Sequence, residues 1–258
     1  MLSKTKINFI ISLQKKKVRE EERLFVIEGD KMVREFLAAN VTVRMLVGKP
    51  EFLNSIPLPM KQDISEIIQA SYDDLKKISS LKTPHNALAV VEMPEAKPDP
   101  SIPDKELTVV LDTVQDPGNF GTIIRAAGWF GIKNIYCSPD CVDIFNPKVI
   151  QASMGAILHV NVFYTDLKVF LASARKNNLR IYGAVMEGES IYSCKLEPNG
   201  ILVLGNESKG ISDELIPYIT VRIMIPGSGG ALPGIDSLNV GMAASVIFSE
   251  FARRKSGE

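Results

Sequence analysis

Amide, hydroxyl and charged side chains follow several short apolar runs of this sequence, at the points where those runs end. They are Asn119, Arg125, Asn206, Glu207, Ser237 and Asn239. The set supplies hydrogen-bond donors, one acid and one cation, and it contains no histidine or cysteine. It therefore suits the binding and orientation of a ligand more than hydrolysis.

The apolar runs must bring these side chains together if they are to form one site. From residue 107 onward, strand patterns alternate with helix patterns, which predicts a parallel sheet with helices on both faces. The carboxyl ends of parallel strands share one edge, so the polar side chains should meet there. Asn119 and Ser237 are the expected N-caps of the helices that follow them. The predicted strands are 107–112, 134–137, 159–163, 180–185, 201–204 and 221–225, and the predicted helices are one through 123–130, one near Pro147, 167–177 and 238–254.

Two glycine-rich loops lie at these strand ends, and neither matches a nucleotide-binding fingerprint. Residues 205–210 have the glycine spacing of a Walker A loop, but Ile211 stands where its lysine must be. Residues 227–232 end in Leu232, where a dinucleotide fingerprint needs glycine or alanine. A Walker-type phosphate loop and a nucleotide-dependent dehydrogenase are therefore disfavoured.

The composition is that of an ordinary globular protein. The chain has 258 residues, of which 45% are hydrophobic and 23% charged, and its formal net charge is zero, which suits one large or two modest domains. No apolar run approaches membrane-spanning length and no secretory signal opens the chain. The cysteines, at 137, 141 and 194, lack the spacing of zinc ligands. We expect a cytoplasmic protein with reduced thiols, no metal and no membrane.

The first part of the chain predicts a small α/β domain followed by a linker. Its strands are expected at 24–29, 43–47, 67–68 and 87–91, and its helices at 7–17, 30–39 and 72–78. Prolines crowd residues 93–106, which predicts a linker. Six basic residues occur between Lys4 and Arg19 without an acid. Such a run is either a solvated helix face or a phosphate-binding patch, and under the second interpretation Lys15, Lys16 and Lys17 contact RNA.

Three motifs give the chain a resemblance to a known family. They are DPGNFGTIIRAA at 116–127, LGNESKGI at 204–211, and IP at 225–226 followed by SLNVGMAAS at 237–245. In their content and order the chain resembles the SpoU-family (TrmH-like) RNA 2'-O-methyltransferases of the SPOUT superfamily, over about residues 107–254. Segments 25–29 and 83–91 also resemble the substrate-binding domain that is often fused to these enzymes.

The resemblance implies a small N-terminal α/β RNA-binding domain at 1–92, a linker at 93–106, and a C-terminal trefoil-knotted parallel-sheet α/β methyltransferase domain at 107–258. It also implies S-adenosylmethionine as methyl donor, ribosomal RNA as substrate and a homodimer. The family's catalytic or structural site positions map onto Arg125, Asn119, Glu207, Ser237 and Asn239, and its cofactor-binding positions onto Gly205, Ile225 and Leu238. The segment 227–236 is longer than usual in this family, and its role stays open.

Two other functions are compatible with the same fold: methylation of transfer RNA, and RNA binding without catalysis. Intact Asn119, Arg125, Glu207 and Asn239 argue against the non-catalytic protein. Arg125 could act as a base or as an electrostatic stabiliser. Because a guanidinium keeps its proton, we prefer stabilisation of the developing alkoxide.

Overall fold

The structure, a computed structural model, describes residues 2–39, 41–95, 98, 103, 105–227 and 237–255. Parts of the predicted linker, and residues 228–236 of the predicted long loop, lie outside the described residues. The chain divides into two compact units. Unit 1 comprises Met1–Glu95 with Asp143–Leu158, and unit 2 comprises Ala96–Val142 with His159–Glu258.

Unit 1 is built on a four-stranded mixed sheet. Its elements up to residue 95 are α1 (Lys4–Ser12), α2 (Lys16–Glu22), β1 (Leu24–Glu28), α3 (Asp30–Ala38), β2 (Val43–Gly48), α4 (Pro50–Ser55), β3 (Glu66–Gln69), α5 (Tyr72–Ile78) and β4 (Ala87–Glu92). The strand order is β1-β4-β2-β3. Strand β4 runs antiparallel to β1 and to β2, whereas β2 and β3 are parallel.

Both faces of this sheet are buried, as the central strand β4 shows. Ala87, Ala89 and Val91 pack with one core cluster, whereas Leu88 and Val90 pack with another. This alternation follows from the two-residue period of a strand. The single helix predicted at 7–17 is instead two helices, since Lys15 adopts an extended conformation between them.

The basic run at the start of the chain is not a continuous cationic surface. Arg19 is only 2% exposed. Its guanidinium donates to the main-chain oxygens of Leu13 and Gln14, at 3.0 and 2.8 Å, and forms an ion pair with Asp143. The Nζ atoms of Lys16 and Lys17 lie 3.7 and 3.8 Å from the Oε1 atoms of Glu20 and Glu21, one helical turn later. These contacts favour the solvated-face interpretation for the lysines and give Arg19 a structural role, because a buried cation needs a partner.

Residues 143–158 belong to unit 1, although they lie within the range predicted for the methyltransferase domain, 107–258. They contain helix α7 (Pro147–Ser153), which begins where the Asn146 side chain accepts from Lys148 N at 2.9 Å. Ile150 joins the core of unit 1, and Gln151 Nε2 donates to the main-chain oxygen of Glu28 at 3.1 Å.

Unit 2 is built on a parallel sheet of six strands, in the order β10-β8-β9-β5-β6-β7. Every neighbouring pair in this sheet is parallel, as predicted. The two central strands, β5 and β9, are buried along their whole length, which explains their unbroken apolar sequences. Its elements are β5 (Leu107–Leu111), α6 (Pro117–Trp129), β6 (Asn134–Cys137), β7 (Asn161–Tyr164), α8 (Leu167–Lys176), β8 (Ile181–Ser190), β9 (Gly200–Leu204), β10 (Val221–Met224) and α9 (Val240–Lys255).

Candidate active site

Helix α6 begins at the carboxyl edge of the unit 2 sheet, and Asp116 rather than Asn119 is its N-cap. Asp116 Oδ1 accepts from the main-chain N–H of Asn119 at 2.8 Å, and Pro117 occupies the first helical position. The prediction that Asn119 caps this helix was wrong by one turn. As a consequence, the Asn119 side chain is available for other partners.

The Asn119 side chain connects the first motif to the second. Its Nδ2 donates to Glu207 Oε1 at 3.1 Å. The other carboxylate oxygen of Glu207 accepts from Asn206 Nδ2 at 3.4 Å. Glu207 is therefore held by two amides, and no hydrogen bond or ion pair joins it to Arg125 among the described residues.

Helix α9 brings the third motif to the same place. Asn239 Oδ1 accepts from the main-chain N–H groups of Gly241 and Met242, at 2.9 and 3.3 Å, so Asn239 caps the helix instead of the predicted Ser237. Its Nδ2 donates to Asn119 Oδ1 at 2.7 Å. Ser237 is exposed and makes no hydrogen bond with any described residue.

The second motif forms a tight loop that requires glycine at its start. A Cβ on Gly205 would lie 2.1 to 2.3 Å from the main chain of Gly210 and Ile211. The loop is closed by two main-chain hydrogen bonds of 2.9 Å between Asn206 and Gly210. Asn206 Nδ2 also donates to the main-chain oxygen of Thr113 at 2.8 Å, which joins this loop to the one that precedes α6.

Arg125 lies six residues, or about 1.7 turns, after Asn119 on α6, and its side chain is exposed. It shares an exposed stripe of the helix with Gly118, Thr122 and Trp129, which recur at helical spacing. Within the described ranges it makes no hydrogen bond or ion pair. The structure therefore brings Asn119, Glu207 and Asn239 together and leaves Arg125 outside their hydrogen-bonded set.

Two of the predicted cofactor-binding residues, Gly205 and Ile225, directly follow strand ends, and the third, Leu238, lies just before helix α9. Gly205 follows β9, and Ile225 follows β10; both strands run in the same direction. Leu238 precedes Asn239 and is 52% exposed, and Ile225 is half-buried.

Two polar residues at this edge, Asp112 and Ser212, are not among the site residues predicted from the sequence. Asp112 is 4% exposed, and its carboxylate accepts from Ser212 N at 2.7 Å and from Thr113 Oγ1 at 3.0 Å. Ser212 Oγ is buried without a hydrogen-bond partner in the described part of the chain. The sequence pattern that could have identified Asp112 is an aspartate directly after an apolar strand. Such a residue either binds ligand or holds a loop, and here it holds two loops.

Two buried thiols, those of Cys137 and Cys141, lie close to the loop between β5 and α6. Cys141 Sγ accepts from Val114 N and donates to the Leu111 main-chain oxygen, both at 3.3 Å. A hydrogen bond with Cys137 lowers the pKa of the Cys141 thiol, and burial raises the pKa of Cys137 well above its ordinary value. Cys141 thus connects Val114 of this loop to the end of β5.

Among the described residues, no cluster of three or more histidine, cysteine, aspartate or glutamate side chains is arranged to hold a metal ion. No helix in the same residues is long and apolar enough to cross a membrane.

Comparison with known proteins decides the family. Residues 106–249 match the model of the SpoU rRNA Methylase family, and residues 4–89 match an MRM3-like substrate binding domain. The chain belongs to the SpoU rRNA methylase family. The family, the α/β fold class and the RNA methyltransferase class predicted from the motifs are thereby confirmed. The implied trefoil knot is consistent with this match, and the methyl donor of this family is S-adenosylmethionine.

Individual relatives agree with this assignment. The chain is 28% identical over 236 residues to the 23S rRNA (guanosine(2553)-2'-O)-methyltransferase RlmP of Bacillus subtilis, with 91% of each chain covered. A candidate RNA methyltransferase of the TrmH family from Porphyromonas gingivalis has a similar structure, with a TM-score of 0.87, 40% identity, and 98% and 99% of the two chains covered. The fold is also that of the methyltransferase AviRb from Streptomyces viridochromogenes, solved with AdoMet (TM-score 0.81, 22% identity, 98% and 99% covered).

Proposed function

We propose that this protein methylates a ribose 2'-hydroxyl of ribosomal RNA at the carboxyl edge of the unit 2 sheet. The observation that carries the proposal is the hydrogen-bonded chain from Asn239 through Asn119 to Glu207, which joins all three family motifs. The substrate class is supported by the match of residues 4–89 to a substrate-binding domain and by the name of the B. subtilis relative.

The residues at this edge fit S-adenosylmethionine. Gly205, Ile225 and Leu238 offer main-chain groups, which suit the polar ends of the cofactor, and apolar side chains, which suit its adenine. The side chain of Leu238 is half exposed, and an aromatic base could cover it. When bound, the cofactor supplies a methyl group activated by the positive sulfonium.

Arg125 is the residue that we assign to the acceptor. A ribose hydroxyl is a weak acid, so negative charge must accumulate on its oxygen as the methyl group is transferred. The exposed guanidinium of Arg125 has unused donors within the described residues, with which it can stabilise that charge and hold a neighbouring phosphate. The proton of the hydroxyl is then lost to solvent.

The remaining site residues position the reacting groups. Glu207 fixes the amide of Asn119, and Asn119 fixes Asn239. Asn239 directly follows Leu238 and caps α9. To Ser237, which precedes Leu238 and is exposed, we assign the orientation of the substrate hydroxyl. Correct alignment of methyl group and oxygen supplies much of the rate in such a transfer.

The protein should act as a homodimer in the cytoplasm. Exposed apolar side chains support the assembly: Trp129 on α6 is 84% exposed and Met242 on α9 is 58% exposed. Both side chains belong to unit 2, in which α6 and α9 pack against each other, and exposed apolar surface of this kind can form an interface. The three cysteines are unpaired and buried, which suits a reducing compartment. A fully active protein that light scattering shows to be a monomer at micromolar concentration would contradict the homodimer.

A transfer assay tests the substrate assignment. Purified protein is mixed with S-adenosylmethionine carrying a labelled methyl group and with either ribosomal or transfer RNA from cells that lack the gene. We expect label in ribosomal RNA only. Label in transfer RNA alone would replace the substrate, and binding of RNA without transfer of label would make the protein a non-catalytic binder.

A further inference from the structure

Unit 1 presents one edge of its sheet at which four connections emerge together. The strand register places Glu28 opposite Leu88, and Gly48 opposite both Ala87 and Gln69. The ends of β1, β2 and β3 and the start of β4 therefore lie side by side. We call this region the loop edge; it consists of residues 29–31, 49, 70–72 and 79–86, which are the four connections and the first residues of α3 and α5.

The connections of the loop edge are held in place by two acids. The Glu28 carboxylate is 5% exposed; it accepts from Ser80 N and Ser80 Oγ, at 2.8 and 2.7 Å, and from the Ser79 hydroxyl. Asp30 accepts from the main-chain and side-chain amides of Asn86, at 3.1 and 2.8 Å. Glu28 is buried and Asp30 is half-buried, and both carboxylates accept hydrogen bonds within unit 1, so they organise the connections of this surface.

The side chains exposed on this edge combine cations, an aromatic ring and amide donors. Lys82, His85 and Asn86 are exposed, and Lys82 makes no hydrogen bond or ion pair with the described residues. Tyr72 is 45% exposed, and Lys49 Nζ lies 5.6 Å from the centroid of its ring. Asp73 and Glu51 are exposed acids on the adjoining helices, whereas Lys49 and Lys82 lie on the connections themselves.

We propose that the loop edge, through Lys49, Tyr72, Lys82, His85 and Asn86, is the surface of unit 1 that binds the RNA substrate. A lysine beside a partly open aromatic ring can hold a phosphate while the ring stacks on a base. Rigid connections lower the entropy lost on binding. The initial basic run is a weaker candidate, since Arg19 is buried and Lys16 and Lys17 face glutamates. The proposal rests on the function proposed above.

A charge-removal experiment tests the electrostatic part. Lys49→Ala with Lys82→Ala is compared with Lys16→Ala with Lys17→Ala, which removes the same charge from the same unit. Binding of ribosomal RNA from cells lacking the gene is measured by filter retention across a salt series. If both lysines reach phosphates, the slope of log K against log salt should fall by about 1.4 to 1.8 for the loop-edge variant and stay unchanged for the control. Unchanged binding by the loop-edge variant, or an equal loss by the control, would overturn the proposal.

A second pair of variants tests stacking. Tyr72→Ala should raise KM for RNA about 5- to 150-fold with kcat unchanged, because a lost base stack weakens binding without touching the reacting atoms. Tyr72→Phe keeps the ring and should restore the parent KM. A Tyr72→Ala variant with the parent KM and an unchanged melting temperature would contradict the role of the ring.

The two proposals fail in distinguishable ways. If the parent protein transfers no methyl group to ribosomal RNA, the proposed function is wrong. If the parent transfers it and the loop-edge variants bind RNA as the parent does, only the loop edge is wrong. Calorimetric affinity for S-adenosylmethionine should be the same for every one of these variants, since all the changes lie in unit 1.

Discussion

Asn239 Nδ2 donates to Asn119 Oδ1 at 2.7 Å, and this bond connects the starts of two helices that are 120 residues apart. The direction of this hydrogen bond determines which atom of Asn119 contacts Glu207. Because the oxygen of the Asn119 amide is occupied by Asn239, its nitrogen is directed to the carboxylate. One asparagine thus orders the loop that carries Glu207 and a helix start at once, and only a side chain with both a donor and an acceptor can do so.

Replacement of Asn119 by aspartate should abolish most methyl transfer. The aspartate could still accept from Asn239, but it cannot donate to Glu207 and would place a second carboxylate beside it. We expect turnover to fall by at least about 10², the scale for loss of one preorganised donor. Steady-state transfer of labelled methyl groups measures this. Asn54→Asp, the same change at an exposed position of α4, should behave as the parent; near-parent turnover of Asn119→Asp would refute the role of the bond.

Alanine at Asn119 and at Asn239 should not act independently. Each single change removes the shared bond, and Asn239→Ala also removes the cap of α9, which costs about 0.5–2 kcal/mol. The double variant should therefore be less destabilised than the sum of the single variants, by about 0.5–3 kcal/mol. Urea unfolding of the four proteins gives the coupling. Strict additivity would mean that the bond contributes nothing in solution.

Arg125→Ala should reduce turnover by roughly 10²–10³ while the affinity for S-adenosylmethionine stays nearly unchanged. The reason is its position on the exposed stripe of α6, outside the strand ends assigned to the cofactor. Single-turnover assays and calorimetry separate the two effects. Arg175→Ala, on the exposed last turn of α8, is the matched control. Parent-like turnover by Arg125→Ala would remove this residue from the mechanism.

Gly205→Ala should disrupt the loop that carries Glu207. The added methyl group would lie within 2.3 Å of main-chain atoms, which cannot move aside as a flexible side chain would. We expect a loss of about 1–3 kcal/mol of stability and weak binding of S-adenosylmethionine. Thermal unfolding and calorimetry measure these losses. At Gly227 an added Cβ meets nothing within 4 Å, so Gly227→Ala should keep the parent melting temperature; similar melting temperatures for both variants would contradict the steric argument.

Glu250 should make the protein more sensitive to acid. Hydrogen bonds from Arg253, together with those from Arg254, lower the pKa of this buried carboxyl from 4.5 to about 2. Since the folded-state pKa is the lower one, the stabilisation is complete above about pH 4.5 and disappears as the pH falls toward 2. Glu250→Gln should therefore lose stability at neutral pH and show a flatter decline between pH 5 and 2. Urea unfolding across this range tests it, with Glu20→Gln on the surface as control; parallel curves would contradict the assignment.

The sequence predicts which side chains converge better than it predicts which of them cap the helices. Glu207 lies just beyond a strand end, and Asn119 and Asn239 lie at helix starts; in a parallel sheet these positions share an edge, so the alternation of elements predicted their convergence. The cap positions were wrong because several polar residues precede each helix, and only the geometry of the turn selects Asp116 and Asn239 among them.

Other features depended on tertiary contacts that no local pattern reveals. Arg19 resembles its basic neighbours in sequence, but its partner Asp143 is 124 residues away. For the same reason the sequence could not assign 143–158 to unit 1, since Ile150 is an ordinary apolar helix residue until its neighbours are known.

The most direct test of the central claim is the position of the transferred methyl group. Ribosomal RNA from cells lacking the gene is incubated with the purified protein and S-adenosylmethionine, digested, and mapped by mass spectrometry, with Arg125→Ala in parallel. We predict one nucleotide that gains a methyl group on its ribose with the parent protein and gains little with Arg125→Ala. Methylation of a base, or no added methyl group on any ribose, would contradict the account.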